Sequence, residues 1–288
     1  MSYKVRDLTF EFTLQDGQSF DDYGNNILTI KKARSEVQLN MAGGETGTLA
    51  DIRLYGISMQ EMSKLAARGM RADPTANNRF AVRISCEGIE IFRGISLWSY
   101  IDANGAPDIA LSISASADQP LRSTAIPDTN IKGNVSLVDA LQAVASQAKV
   151  NVINYGVSIV LPGVSVKGSV KDQILEILHS VKPIDSLSYD IGMDYVSIFP
   201  KDYADKTSKI LVSKDTGLKG YPSFIDFGVS LRTSFNPNFK INTVIELESE
   251  LPNISGNWKI VSGCTHYLNT NIDGGAWDSF ITCVALDN

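Results

Sequence analysis

Apolar and polar residues alternate along most of this chain, and that period of two restricts its fold more than any other feature. The first run is made of Leu8, Phe10, Phe12 and Leu14, separated by Thr9, Glu11 and Thr13. Such alternation is typical of a β-strand with one face in a core and the other in solvent. Gly, Asp and Asn pairs punctuate the runs, as at Asp16-Gly17. The sequence therefore predicts a mainly β protein.

Residues 1–120 are predicted to form a first, tube-like β-barrel domain with seven strands and one helix. The further strands are expected at 27–30, 35–41, 50–55, 80–86, 89–100 and 108–115. Ser58 and Glu61 form a capping box at the start of a short helix that Gly69 would end. Glu87-Gly88 predicts a tight hairpin, and a bulge is expected near Gly94.

Residues 121–205 change in character and are predicted to form an inserted α+β domain with two helices. Ser136 is the predicted N-cap of a helix that runs through Ala148, and Ser169 of a second that runs through Val181. Each has an Asp in its first turn, where the helix dipole favours a carboxylate.

Residues 206–288 return to the β pattern and are predicted to form a second β-barrel domain, or to complete the first. The expected strands are 227–235, 244–247, 256–267 and 277–285. The expected fold class is thus mainly β with an α+β insert: two antiparallel β-barrel-like domains plus a small helix-containing domain.

Charge and hydropathy exclude several classes of function. The 288 residues have a formal net charge of −6, which argues against tight binding to a nucleic-acid backbone. No apolar run approaches the length of a membrane-spanning helix or a signal peptide, so we expect no membrane anchoring and synthesis in a cytoplasm. The three cysteines, Cys86, Cys264 and Cys283, are too few and too far apart for a disulfide framework, and are interpreted as small buried residues.

The search for catalytic and metal-binding groups identifies no convincing site. Only two histidines occur, His179 and His266, and no metalloprotease, Walker or nucleophile-elbow motif is present. Cys264 and His266 are two residues apart on a predicted strand, so they share a face and could form a thiol–imidazole pair. A packed cysteine and a hydrogen-bonded histidine are the preferred interpretation, and we expect no catalytic, cofactor-binding or metal-binding residues.

Two further groups of residues leave alternatives open. Glu246, Glu248 and Glu250 are expected on one solvated strand face, with a lumen wall, ion pairs to a neighbouring subunit or a calcium site as functional alternatives. The aromatic residues lie mostly in predicted strands, where core packing explains them. A lectin groove would need several of them exposed on one face.

Several stretches, taken in order, resemble the baseplate hub proteins of contractile-tailed phages of the Mu type. The first two are Thr216–Phe224, which reads TGLKGYPSF, and Gly228–Pro237, which reads GVSLRTSFNP; both are similar to the "TGLVGYP…GI…LFNP" region of that family. Asn257–His266 looks like its "G-x-W-x-V-x-x-x-x-H" strand, and Gly274–Trp277 its "PGGPW" turn. Leu54–Ser58 and the hairpin with Phe92-Arg93-Gly94 and Asp102–Leu111 also fit. The chain departs from the pattern at Lys219 and Asp273, two expected surface turns.

This resemblance implies a non-enzymatic structural subunit of the virion, located in the tail baseplate. It implies a homotrimeric ring with pseudo-sixfold symmetry that joins the tail tube to the central spike. The implied partners are other copies of the chain, tail tube and tube-initiator proteins, a spike protein and baseplate wedge proteins. Genomic DNA would pass through without specific binding, and no cofactor is implied. A tailocin or secretion-system part remains an alternative within this class.

Two alternatives come from other classes of function. One is a carbohydrate-binding host-recognition β-module that binds glycan through an exposed tryptophan. The other is a hydrolase that uses Cys264 and His266.

Overall fold

The fold is known from a computed structural model that describes residues 7–15, 17–66, 79–181, 187–271 and 274–286. Residue contacts divide the chain into two compact units. The larger contains residues 1–42, 48–116 and 204–288, and the smaller contains residues 117–203 together with the short segment 43–47. No helix in these described ranges is both long and apolar enough to cross a lipid bilayer.

The larger unit is built on a thirteen-stranded sheet. Its strands are β1 (Leu8–Thr13), β2 (Ile27–Lys31), β3 (Ser35–Gly43), β4 (Gly47–Tyr55), β5 (Ala81–Cys86), β6 (Ile89–Asp102), β7 (Ala110–Ser116), β13 (Asp205–Val212), β14 (Ser223–Ile225), β15 (Gly228–Ser234), β16 (Thr243–Leu247), β17 (Gly256–Asn269) and β18 (Trp277–Ala285). The hydrogen-bonded order is β14-β15-β18-β17-β3-β4-β7-β6-β5-β1-β2, and β16 and β13 branch from β17.

Alternation sets the burial of these strands, as the sequence predicts. In β1 the residues Leu8, Phe10 and Phe12 are buried while the intervening ones are half-exposed. Phe12 packs edge-on against Phe80 with ring centroids 5.8 Å apart. The Glu87-Gly88 hairpin is confirmed, with φ of 50° and 83° at its two residues.

The bulge predicted near Gly94 is confirmed, although it does not lie at Gly94 itself. Gly94 pairs in regular register with Val82, and β6 has one extra residue on each side of it, between Glu90 and Phe92 and between Ser96 and Trp98. Gly94 is needed for a different reason, because a Cβ there would lie 2.5 Å from the carbonyl oxygen of Ser116.

The single helix predicted for this segment is confirmed as α1 (Met59–Leu65). Ser58 Oγ accepts from the backbone N–H of Glu61, and the Glu61 side chain accepts from the backbone N–H of Ser58. Both bonds satisfy N–H groups that a helix start leaves unpaired. The helix ends at Leu65, because Ala66 already has an extended backbone, so the predicted end at Gly69 is wrong. Gly69 itself lies outside the described residues.

The strand β17 joins the N-terminal and C-terminal parts of the large sheet. Its first residues pair with β16, as at Trp258 opposite Ile245, and its last residues pair with β3, as at His266 opposite Leu39. β18 follows β17 along both halves. A core cluster below the C-terminal strands consists of Val212, Val229, Leu231, Phe239, Ile245, Leu247, Ile254, Trp258, Ile260, Cys264, Ile281 and Cys283.

The smaller unit contains two longer helices, one short helix and two small sheets. Its helices are α2 (Gln119–Ser123), α3 (Leu137–Ala145), which continues as a 3-10 turn over Ser146–Ala148, and α4 (Val170–Val181). Its strands are β8 (Thr129–Ser136), β9 (Asn151–Asn154), β10 (Val160–Val166), β11 (Leu187–Ile191) and β12 (Tyr195–Pro200). The buried faces of α3 and α4 share one apolar core, and both predicted N-caps are confirmed, because Ser136 and Ser169 accept from the N–H groups of Asp139 and Asp172.

A buried ion pair ties the segment 43–47 into the smaller unit. Lys171, on the buried side of α4, donates to the Asp118 carboxylate and to the carbonyl oxygen of Glu45. The Glu45 side chain lies 2.9 Å from His179 Nε2. Lys171 and Asp118 are so deeply buried that each needs a charged or hydrogen-bonding partner.

The predicted fold class, mainly β with a small helix-containing portion, is confirmed. The sequence analysis missed the strands β8, β9, β10, β13 and β14 and the short helix α2. It also did not predict that β9 pairs with β12, and β13 with β16, in parallel. The boundaries at residues 120 and 205 and the division of the large sheet into two barrels stay a prediction.

Candidate interaction surfaces

Cys264 and His266 lie on one face of β17, as predicted, but their environment does not suit nucleophilic catalysis. Sγ of Cys264 is 3.6 Å from Nε2 of His266, and both side chains are buried in the core. Burial raises the pKa of the Cys264 thiol to about 12 and lowers the pKa of His266 to about 4. Desolvation thus favours the neutral form of both groups, which opposes a thiolate–imidazolium pair. The packing interpretation is the one that the geometry supports.

The other sulfur and imidazole groups also take part in packing or hydrogen bonding. Cys86 and Cys283 are buried, as Cys264 is, which confirms the prediction of small buried residues for all three cysteines. His266 Nδ1 lies 2.7 Å from Ser279 Oγ, and its ring packs edge-on against Phe235. His179 is half-exposed on α4, beside Glu45.

The three glutamates at 246–250 are solvated, but they do not share one strand face. Glu246 lies in β16 and pairs with Lys209 at 3.0 Å, whereas Glu248 and Glu250 follow the end of the strand. Lys214 lies 4.0 Å from Glu250. Across the described residues, no group of three or more His, Cys, Asp or Glu side chains could hold a metal ion.

The most distinctive surface is a short apolar hairpin at the end of the large sheet. The edge strand β14 is joined to β15 by a tight turn, and its partner among the described residues is β15. Around it the side chains of Tyr221, Phe224, Ile225 and Phe227 are exposed, Phe227 to 87%. Large apolar groups grouped in this way on a surface mark an interaction site more often than isolated ones do. We call these four residues the edge cluster.

The core-facing side of the sheet is left uncovered at its last strand, β14, as the exposure of Phe224 shows. Phe224 pairs with Val229, and residues directly opposite in an antiparallel pair point to the same face. Val229 is fully buried, yet Phe224 is 64% exposed. The face that forms the core under β15 is therefore left open under β14.

Local geometry holds this hairpin in place. A Cβ at Gly228 would lie 1.9 Å from the carbonyl oxygen of Cys283, so glycine lets β15 approach β18 there. The preceding loop is fixed by two cations, Lys219 and Arg232, which both bind the buried carboxylate of Asp278. Lys219 also donates its backbone N–H to the Arg232 carbonyl at 2.8 Å. Lys219, expected as a surface turn residue, thus anchors the loop, while Asp273 lies outside the described residues.

The opposite end of the same sheet is also a free edge. β2 pairs with β1, and within the part of the chain that the structure describes it has no second neighbour. Ile27 is exposed on this edge, and Lys31 and Lys32 follow it. Each end of the sheet therefore offers unpaired backbone groups to another strand.

The aromatic residues divide between core and surface more evenly than the sequence indicated. Phe10, Phe12, Phe80 and Phe235 are fully buried, in line with the expectation. Phe227 and Phe280, which were expected to pack in strands, are exposed. Period-two alternation shows on which face of a sheet a side chain lies. It does not show whether another part of the chain packs over that face.

Comparison with known proteins gives no match by sequence and clear matches by fold. No family model matches the chain, and no curated protein matches it. The 43 kDa tail protein of prophage MuSo2 from Shewanella oneidensis is similar with a TM-score of 0.63 at 9% identity, over 97% of this chain and 96% of that one. A tail protein from Neisseria meningitidis MC58 is similar with a TM-score of 0.63 at 10% identity, over 96% of each chain. A chain of the lidless PdpA–VgrG complex is similar with a TM-score of 0.51 at 11% identity, over 98% of this chain and 65% of that one.

These similarities concern the fold. The resemblance to phage baseplate hub proteins that the sequence indicates is confirmed at that level, since the structures that share the fold include phage tail proteins.

Proposed function

We propose that this chain is a non-enzymatic structural subunit of a phage tail, a baseplate hub protein whose three copies close into a ring of pseudo-sixfold symmetry between the tail tube and the central spike. The observation that supports this most strongly is the end-to-end match in fold to two tail proteins, over at least 96% of each chain. A match of that extent leaves little of the chain for a separate function, although fold by itself does not determine function.

The two free edges of the large sheet supply the means of assembly. The edge cluster beside β14 and the exposed strand β2 lie at opposite ends of one path of strands. Contact between two different surfaces of the same chain is a heterologous interface, which closes into a ring when the rotation permits. Pairing of strand edges contributes backbone hydrogen bonds, and burial of Phe224 and Phe227 contributes apolar area.

The proposed partners follow from the ring. They are the tail tube and tube-initiator proteins on one side, a spike protein on the other, and baseplate wedge proteins around it. Similarity to a chain of a PdpA–VgrG complex supports a place in that kind of assembly. The net charge of −6 suits a passage for genomic DNA that must not bind it. The subunit would be made in the host cytoplasm and reside in the virion tail.

Light scattering after size exclusion tests the ring directly. The wild-type chain is expected at about three times the monomer mass at high concentration. Phe224→Ser combined with Phe227→Ser should shift it to monomer, because the open core face then loses its apolar anchors. Val160→Ser is the matched control, since Val160 is 64% exposed on β10, which belongs to neither of the two edges.

Two results would overturn the proposal. A wild-type chain that stays monomeric at high concentration, both alone and with a tail tube protein, has no ring to form. A trimer that the double Phe variant leaves intact would show that the edge cluster is not the interface. Electron microscopy of the wild-type particle should show three subunits around a central hole.

A further inference from the structure

A groove of about 590 Å³ lies on the large unit, on the polar face of the sheet. Its strands are β6, β7, β4, β3 and β17, which are consecutive neighbours. Register places Tyr100 opposite Ser112, Ser112 opposite Arg53, and Tyr267 opposite Gln38. The volume is in the range of sites that hold a ligand or several side chains of a partner.

Aromatic side chains line this groove on both sides, and smaller side chains lie between them. Trp98 and Tyr100 lie on β6 with ring centroids 5.6 Å apart, and Tyr267 lies on β17. Ser114 pairs with Trp98, and Ser112 with Tyr100, so the strand beside the rings has small side chains. All three aromatic side chains are partly exposed, and Tyr267 also packs edge-on against Phe280 with ring centroids 5.5 Å apart.

The charges around the groove do not balance. Arg53 pairs with Asp102 at 2.8 Å, and Arg34 pairs with Asp108 at 2.8 Å. Glu36, which also interacts electrostatically with Arg34, and Asp51 bring the total to four carboxylates against two guanidinium groups.

Hydrogen bonds hold these two carboxylates in place. Asp51 Oδ1 accepts from Ser114 Oγ at 2.7 Å. Glu36 accepts from Asn271 Nδ2 at 3.3 Å, and Asn271 in turn accepts from Arg34. Two negative charges therefore lie within a groove bordered by aromatic faces.

We propose that this groove is a docking site for an extended, arginine-bearing segment of a partner protein. A guanidinium is planar, stacks on aromatic faces and donates paired hydrogen bonds to a carboxylate, so it satisfies both features of the groove at once. A neutral sugar would stack on the rings and leave the excess negative charge of the groove uncompensated, and an anionic ligand would be repelled. The inference stands on the groove alone and does not require ring formation.

Calorimetric titration with blocked peptides tests the site in the intact chain. The probe is acetyl-Gly-Arg-Gly-Arg-Gly-amide, and its citrulline counterpart has the same shape without the charge. The arginine peptide should bind and the citrulline peptide should not. Glu36→Gln combined with Asp51→Asn should weaken binding about tenfold or more, the loss expected when charge-assisted bonds are removed.

A matched pair of substitutions separates docking from general attraction to an acidic protein. Asp128→Asn with Glu248→Gln makes the same change of charge at exposed positions outside the groove, and binding should persist in this variant. Circular dichroism confirms that each variant is folded.

Several outcomes would refute the proposal. They are absence of arginine-peptide binding, equal binding of the citrulline peptide, and equal weakening in the control variant. Binding of chitotetraose that Trp98→Leu removes would instead assign the groove to a glycan. Because the subunit mass is measured separately, loss of the ring and loss of peptide binding are distinguishable results.

Discussion

Acidification should destabilise this protein through one buried imidazole, that of His266. Its side chain is 2% exposed, and burial lowers its pKa from 6.5 to about 4. Below pH 6.5 the unfolded chain takes up a proton at this position, whereas the folded chain does so only near pH 4. The unfolded state therefore binds more protons in that window, and the free energy of unfolding falls as the pH falls through it.

The size of the effect follows from the two pKa values. A gap from 6.5 to about 4, at about 1.4 kcal/mol for each pH unit, corresponds to roughly 3 kcal/mol. That contribution is fully present above pH 6.5 and fully lost below pH 4. The physical cause is the apolar surroundings, which include the ring of Phe235 at 5.0 Å between centroids.

Urea unfolding at pH 7.5, 6, 5 and 4 measures this pH-dependent loss of the free energy of unfolding. The His266→Gln variant keeps a polar group near Ser279 but does not titrate, so the wild type should lose roughly 3 kcal/mol more than the variant between pH 7.5 and 4. Parallel curves for the wild type and His266→Gln would refute the reasoning, because the carboxylates contribute equally to both.

Three further predictions concern other buried groups. Trp258→Ala should lower the free energy of unfolding by about 3–5 kcal/mol in urea titrations, since the indole is 8% exposed and donates to the Ile254 carbonyl at 2.9 Å; a loss below 1 kcal/mol would place it outside the core. Lys171→Met should cost about 3 kcal/mol in the same assay because the Asp118 charge stays buried, whereas Arg122→Ala, at a half-exposed partner of Asp118, should cost less than about 1 kcal/mol. Equal losses would contradict that difference. The thiols should react with iodoacetamide much more slowly in native than in urea-unfolded protein, because all three are buried and burial raises the pKa of Cys264 to about 12; rapid native labelling of Cys264, followed by mass spectrometry, would revive the hydrolase alternative.

Local signals in the sequence predicted local structure well. The capping box at Ser58 and the caps at Ser136 and Ser169 fix helix starts through bonds that span three residues, so a short window contains them. The Glu87-Gly88 hairpin is equally local, since both residues adopt the positive φ that such a turn requires.

Long-range pairing could not be read in the same way. β13 has a partner, β16, that lies more than thirty residues further along the chain and runs parallel to it. The segment 43–47 belongs to the smaller unit because Lys171 and His179 contact Glu45. No sequence pattern around residue 45 predicts these contacts. Such contacts depend on how distant parts of the chain meet.

The candidate surfaces were predictable only in part. Alternation showed that Cys264 and His266 share a face, but their burial, which excludes the reactive form, depends on the strands on both sides of β17. Phe227 is exposed because it lies in the turn between β14 and β15, and Phe224 is exposed because the sheet ends at β14. Nothing in the local sequence predicts that end. The groove arises from five strands whose residues are up to about 230 positions apart.

The long strand β17 limits how this fold can change in length. Two register shifts against β18, between Ile260 and Ser262 and between Ser262 and Thr265, each add one residue to β17. Residues directly opposite each other share a face on both sides of these shifts, so Trp258, opposite Ala285, and His266, opposite Ser279, both point into the core. A bulge takes up one extra residue without reversing the part of the strand that follows it. Loss of a single residue between Ile260 and Cys264 should therefore be tolerated where it removes a bulge, whereas the same loss between Thr265 and Leu268, where pairing is regular, would move the end of the strand onto the wrong face.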